Sequence, residues 1–241
     1  MRLTAFMSES YGADVDKWWE AIVGEPPEAK TEKVRESVRT LEGHLGNAKL
    51  ILNSALDRVD WLLGVDIDVT QDFQETPNIG LYTDVLQLFS SKVSPWLLSC
   101  PPITRLVWGA ILVQPTADRI NGYRTLQKYV PALTVDALNS SDLLYQINRS
   151  RKSNVIPDLT INRLQKWSVS QLQHFSIKMV AGPTATRSQG TMTPGFSACR
   201  VELDINSAAD RSEPLPTDRL ESLYEELVSL GKEIAAQGDI A

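Results

Sequence analysis

Val201-Glu202-Leu203-Asp204-Ile205-Asn206, then Pro214 and Pro216, then Leu220, Leu223, Leu227, Leu230 and Ile234, is the stretch that decides the fold class. Apolar and polar residues alternate over the first six positions, the period of a strand with one buried face. The five apolar residues of the last part recur three or four apart, which makes a helix with a continuous apolar stripe. Glu221, Glu225 and Glu226 fall outside that stripe. Such a helix has to pack on a sheet or on a partner helix.

An earlier stretch has the same order. Gly64-Val65-Asp66-Ile67-Asp68 precedes an acidic loop, Pro77 and a helical pattern built from Leu81, Val85, Leu88, Phe89 and Val93. The two units are 138 residues apart, longer than a solenoid repeat. They predict two related sheet-plus-helix halves, residues 1–100 and 101–241, the second holding a basic middle segment and the C-terminal helix. Between them, Thr116 is placed to cap a helix carrying Ile120, Tyr123, Leu126 and Val130. Strands are expected at 48–53 after the turn Gly46-Asn47, and at 57–63, 103–113, 143–148, 159–164, 175–180 and 196–206. Val34, Val38, Leu41 and Leu45 fit a helix or a strand. The pair Trp18-Trp19 is read on a strand that sends the two to opposite sides, either with one exposed at an interface or with Trp19 in the core and Trp18 covering an edge. Helices and strands without strict alternation predict an α+β fold, a largely antiparallel sheet covered by amphipathic helices.

The chain of 241 residues carries 24 Lys plus Arg and 30 Asp plus Glu, a net charge of −6. That charge is unevenly spread. Residues 1–102 are at −7, residues 103–188 at +7 and residues 189–241 at −6. The basic middle therefore faces either the chain's own acidic ends or an acidic partner. The longest apolar run, Leu106 to Val113, is far shorter than the ~20 residues of a membrane span. The N-terminal residues form no signal peptide, so a cytoplasmic protein without membrane contact is expected.

A resemblance accompanies these residues. Leu203-Asp204-Ile205 leading through a Pro-containing loop into the C-terminal helix is similar to the ending of a patchily distributed group of uncharacterised bacterial proteins. The helix from Leu81 to Val93 followed by Arg105-Leu106-Val107-Trp108-Gly109 also resembles that group. The resemblance covers about half of the chain. It implies a bacterial α+β protein, an accessory component of mobile or defence gene clusters, and brings no catalytic residues with it.

The residues offer few routes to catalysis. His44 and His174 are 130 positions apart, and no Cys/His cluster exists to hold zinc. Gly-x-Gly-x-x-Gly, the P-loop and Gly-x-Ser-x-Gly are all missing, which sets aside P-loop and α/β-hydrolase chemistry. Cys100 and Cys199 read as small buried residues. Asp66 and Asp68, with Asp72 and Glu75 beyond, form a carboxylate cluster that could take Mg²⁺ or Mn²⁺, the basis of a hydrolase or nuclease reading. Glu202 and Asp204 repeat the alternation, which points to architecture rather than chemistry.

Arg149, Arg151, Lys152, Arg163, Lys166 and Trp167 form the other candidate site. Basic residues interleaved with an aromatic ring suit an acidic protein surface, or phosphates with a stacked base. The acidic net charge favours protein over nucleic acid. The expectation is a non-catalytic bacterial protein-interaction subunit of a multiprotein complex, in a defence or toxin-neutralising setting. It needs no cofactor, and its partner is another protein or a second copy. The alternatives are a nucleic-acid-binding module using 145–167 and the metal-dependent hydrolase.

Overall fold

Residues 1–7, 14–66, 76–171, 174–181, 186–193 and 195–239 are described by the computed structural model, the backbone alone for 174–181 and 186–193. Strand β1 (Arg2–Met7) is followed by helix α1 (Val15–Val23), strands β2 (Ala29–Lys33), β3 (Val38–Leu45), β4 (Ala48–Ala55) and β5 (Arg58–Gly64), and helix α2 (Tyr82–Val93). A second run has β6 (Ile103–Thr116), α3 (Arg119–Tyr129), β7 (Leu144–Asn148), β8 (Arg151–Lys152), β9 (Thr160–Gln171), β10 (His174–Ala181), β11 (Thr186–Thr193), β12 (Ser197–Ser207) and α4 (Leu220–Gln237). Ten strands make one antiparallel sheet in the order β2-β3-β4-β5-β1-β6-β12-β9-β7, with β8 also on β9. The fold is α+β.

The order repeats within the sheet. In each run the first strand pairs with the last, β1 with β5 and β6 with β12, and a helix follows that last strand. The two runs join where β1 pairs with β6. The second run differs by a hairpin: β10 and β11 pair with each other and form a separate two-stranded sheet.

Alternation decides which face is buried. Val201, Leu203 and Ile205 of β12 are buried, while Glu202 and Asp204 are half-exposed. All four helices lie on the buried side. The α4 stripe of Leu220, Leu223, Leu227, Leu230 and Ile234 is covered by the chain's own sheet, mainly β6 and β12. Gly231 permits that approach, because a Cβ there would collide with the Trp108 ring. At the other end of the sheet, Trp19 of α1 stacks on Trp61 of β5 with centroids 6.4 Å apart, and Trp96 meets Trp61 edge-on at 6.2 Å. Trp19, Trp61, Trp96, Trp108 and Trp167 are all buried, and they fill the core from one half to the other.

Several local expectations are corrected. Trp18 and Trp19 are on helix α1, because Asp14 caps its first turn by accepting from the Lys17 backbone N–H and Gly24, at φ 86°, ends it. Val34 to Leu45 is not helical beyond one 3-10 turn. Its second part is β3, whose backbone groups are taken up by β4 on one edge and β2 on the other. The two strands turn at Gly46, which sits at φ 62°. Asp118, not Thr116, caps α3: its Oδ1 accepts from the Asn121 N–H at 2.8 Å while Thr116 is still in the β6 ladder. Cys100 is half-buried rather than buried.

Candidate functional site on the open face of the sheet

The register defines what the other face carries. Arg2, Gly109, Asp204 and Leu164 are paired in one row across β1, β6, β12 and β9, and Leu62 of β5 continues it beyond Arg2. Successive pairs in a row share a face, so these residues all lie opposite the helices. The next row holds Ile111, Glu202 and Lys166.

A hollow of about 400 Å³ opens between these two rows. Strands β1 and β12 flank β6, so their side chains start roughly 9–10 Å apart. Gly109 in the middle has none, and the Arg2 guanidinium crosses above it to donate to Asp204 Oδ2 at 2.6 Å. A Cβ at Gly109 would stand 3.3 Å from Arg2 Nε and 3.1 Å from the Leu203 carbonyl oxygen. Asp204 also accepts from Asn206 Nδ2 at 2.6 Å. Leu62, Ile111 and Leu164 are the apolar walls, and Ile111 is 59% exposed. The far end of the seam is built differently. There Phe6 lies under the guanidinium groups of Arg58 and Arg105, 5.5 and 5.2 Å from its ring centroid.

Charge on this face runs against that of the whole chain. From β4 to β9 it holds Arg2, Lys49, Arg58, Arg105, Lys166 and Arg200, against Asp60, Glu202 and Asp204; β3 adds Glu42 and His44, which binds Glu28 and Asp66. Most are paired along the face: Arg58 with Asp60, Lys49 with Glu42, and Arg200 with Glu202. Lys166 differs. Its Nζ is 4.0 Å from Glu202, beyond hydrogen-bond reach, and among the described residues no hydrogen bond takes up its ammonium.

The residues singled out from the basic middle do not share this face. Lys166 is on it, at the hollow. Arg163 and Trp167, one position removed in the strand period, point to the helices and are 4% and 2% exposed. The Trp167 ring stacks on Tyr129 at 5.1 Å and donates through Nε1 to Gln165, so no surface is left for an incoming base. Arg149 donates from Nε and a terminal nitrogen to both oxygens of Asp239, 2.6 and 2.8 Å away. Tyr145 and Gln165 also donate to Asp239, and these hydrogen bonds, that of Arg149 first, hold its carboxyl below the usual range. Burial pushes the Arg163 guanidinium down, partly offset by Glu233 of α4 at 3.7 Å. Arg151 and Lys152 are on the short β8 at the edge, where Lys152 donates to the Asp158 carbonyl. The basic segment thus meets the chain's own acidic C-terminal part.

The acidic alternative is only partly in view. Asp66 follows β5, and Asp68, Asp72 and Glu75 lie outside the described residues. Asp66 has a neighbour that spacing did not suggest: His44 bonds Glu28 at 2.8 Å and Asp66 at 3.2 Å, and these bonds, Glu28 first, raise its pKa. Among the described residues no group of three His, Cys, Asp or Glu is arranged to hold a metal ion. Burial pushes the thiol of Cys100 up to about 12 and that of Cys199 up to about 11, which removes thiolate character at neutral pH. The side chain of His174 lies outside the described residues.

Sequence reasoning passed over Arg2, Leu62, Gly109 and Ile111. One signal was present: a glycine inside the apolar run 103–113, which in a strand marks a close approach. No helix among the described residues is long and apolar enough to cross a membrane. No family model matches the chain, and comparisons with curated proteins and with solved structures find no match either.

Proposed function

We propose that the protein is a non-catalytic, protein-binding subunit of a multiprotein complex, and that the open face of its sheet is the docking surface. One observation carries this reading. The four helices cover one side of the sheet, while on the other side, crossing both halves, no helix lies among the described residues; there strands β4 to β9 carry more basic than acidic side chains and a hollow with apolar walls. Antiparallel sheets commonly leave one face to water, but that face is then plainly polar. Here Leu62, Ile111 and Leu164 surround a depression, the pattern of an interface centre with a polar rim. A positive face on an acidic chain suits an acidic protein.

The division into related units 1–100 and 101–241 belongs to the same proposal, supported by the repeated strand order. So do a cytoplasmic setting and, resting on the resemblance of 81–109 and 203–234, a bacterial, defence-associated complex.

The test is differential co-purification. Tagged full-length protein is recovered from its own cells beside an Ile111→Asp/Leu164→Asp variant and a Leu138→Asp control, Leu138 being an exposed residue in the loop after α3. A defined partner lost from the face variant and kept by the control supports the docking surface. A partner kept by both variants overturns it.

A further inference from the structure

We propose that the hollow between the Gly109 and Ile111 rows is a recognition pocket for a carboxylate side chain set between apolar residues on an acidic partner segment, with Lys166 as its cation. This rests on the reading that the open face docks a protein.

The reasoning starts from which charges are already committed. Arg2 and Asp204 bind each other across Gly109, and Asn206 holds the second Asp204 oxygen. Glu202 is held by Arg200. Both acids of the hollow are thereby neutralised within the strands. Lys166, which lines the hollow with its side chain 37% exposed, is 4.0 Å from Glu202 and makes no hydrogen bond among the described residues. A lysine in this state offers three donors to an incoming carboxylate.

The walls define the rest of the ligand. Leu62, Ile111 and Leu164 present apolar surface on three different strands, so the carboxylate has to arrive on a body that fills space between them. About 400 Å³ lies within the range of ligand pockets, about 300–1,000 Å³, and accommodates a glutamate with a flanking apolar side chain. A polynucleotide fits less well. The hollow holds no aromatic ring on which a base could stack, because in the basic segment Trp167 is buried and the Tyr145 hydroxyl is bound to Asp239.

Fluorescence anisotropy on the full chain tests this, with a labelled, acetylated Leu-Glu-Leu-Glu-Leu peptide amide as probe. Replacing Glu by Gln in the probe should weaken binding about tenfold or more. Lys166→Glu should cause a similar loss, while Lys166→Arg keeps most of the affinity and Lys152→Glu changes it less than about twofold. Equal binding of the Glu and Gln peptides overturns the proposal without any variant having to fold. So does unchanged binding by Lys166→Glu, or preferential binding of a short oligo-dT strand that the same variant loses. Self-association in sedimentation velocity, abolished by Lys166→Glu, would assign the pocket to a second copy and equally overturn it. If the peptide discriminates nothing while Ile111→Asp/Leu164→Asp still loses its partner, the docking face stands and the carboxylate reading falls. If that variant loses nothing either, both fall.

Discussion

The two halves share an order of elements and differ in the length of the strands at their seam. β1 has six residues and β6 fourteen. β1 covers β6 only as far as Gly109, so Ala110 to Thr116 pair with β12 on one side and, among the described residues, with no strand on the other. The hollow sits where the shorter strand ends. At the opposite end of the same seam, where both strands are present, Phe6, Arg58 and Arg105 fill the surface. Repetition of topology builds a wide sheet, and the place where the repetition fails makes a concave site in it.

The helices differ as well. α2 has twelve residues and α4 eighteen, and α4 spans β6, β9 and β12 while α2 packs against α1. Yet both halves place a buried tryptophan at the helix-to-sheet contact, Trp61 under Trp19 and Trp108 under Gly231. Because the sheet is continuous, the halves should unfold together. Trp61→Ala and Trp108→Ala should each cost about 3–5 kcal/mol in urea denaturation, with one transition by fluorescence and circular dichroism. Two separated transitions would break the comparison, showing that the seam does not couple the halves.

A smaller effect is expected where the basic middle meets the C-terminus, a contact with no counterpart in the first half. Asp239→Asn removes the charge that Arg149, Tyr145 and Gln165 surround, and should cost about 2 kcal/mol. Its carboxyl is held low in the folded protein, so its contribution is present above the unfolded carboxylate range and is lost as pH falls through the folded value. The difference between wild type and Asp239→Asn should therefore vanish in acid. A difference that persists there would assign the loss to packing.

Gly109→Val acts at the seam itself. The branched side chain takes the space through which Arg2 reaches Asp204, and should cost about 1 kcal/mol by thermal melting. An Asp204→Asn change made in that background should then have little additional effect. Full additivity would show that Arg2 and Asp204 still meet.

The smallest effect belongs to the first half. His44 lies exposed between Glu28 and Asp66, and NMR titration should place its pKa above the ordinary histidine value of 6.5. Glu28→Gln should lower it. A raised folded pKa means that the contact helps at pH below the unfolded value and is lost as pH rises through the folded one. An unshifted His44 would remove the link between β3 and Asp66.

Much of this architecture was legible beforehand. Alternation in 201–206 and the stripe from Leu220 to Ile234 announced a strand and a helix lying on a sheet, because each period leaves one apolar side that must be buried. The strand 103–113 was expected in the middle of a sheet and lies between β1 and β12. The first strand, the Trp18-Trp19 helix and the edge strand β2 were less readable. β1 is too short for a period to stand out, and capping by Asp14 outweighed the β-preference of the tryptophans.

The binding residues were hardest to read, for a reason of geometry. Arg149, Arg151, Lys152, Arg163, Lys166 and Trp167 are close in sequence, but a strand sends neighbours to opposite faces. One position therefore separates Lys166, at an open hollow, from Trp167, stacked inside. The order of residues determined the strands, the helices and which side of each is apolar. Only the tertiary structure decided that Arg2 meets Asp204 from 202 positions away, that Gly109 leaves room between them, and that Asp239 takes up Arg149. Those outcomes depend on strand order and on where one strand ends, and neither is a local property of the chain.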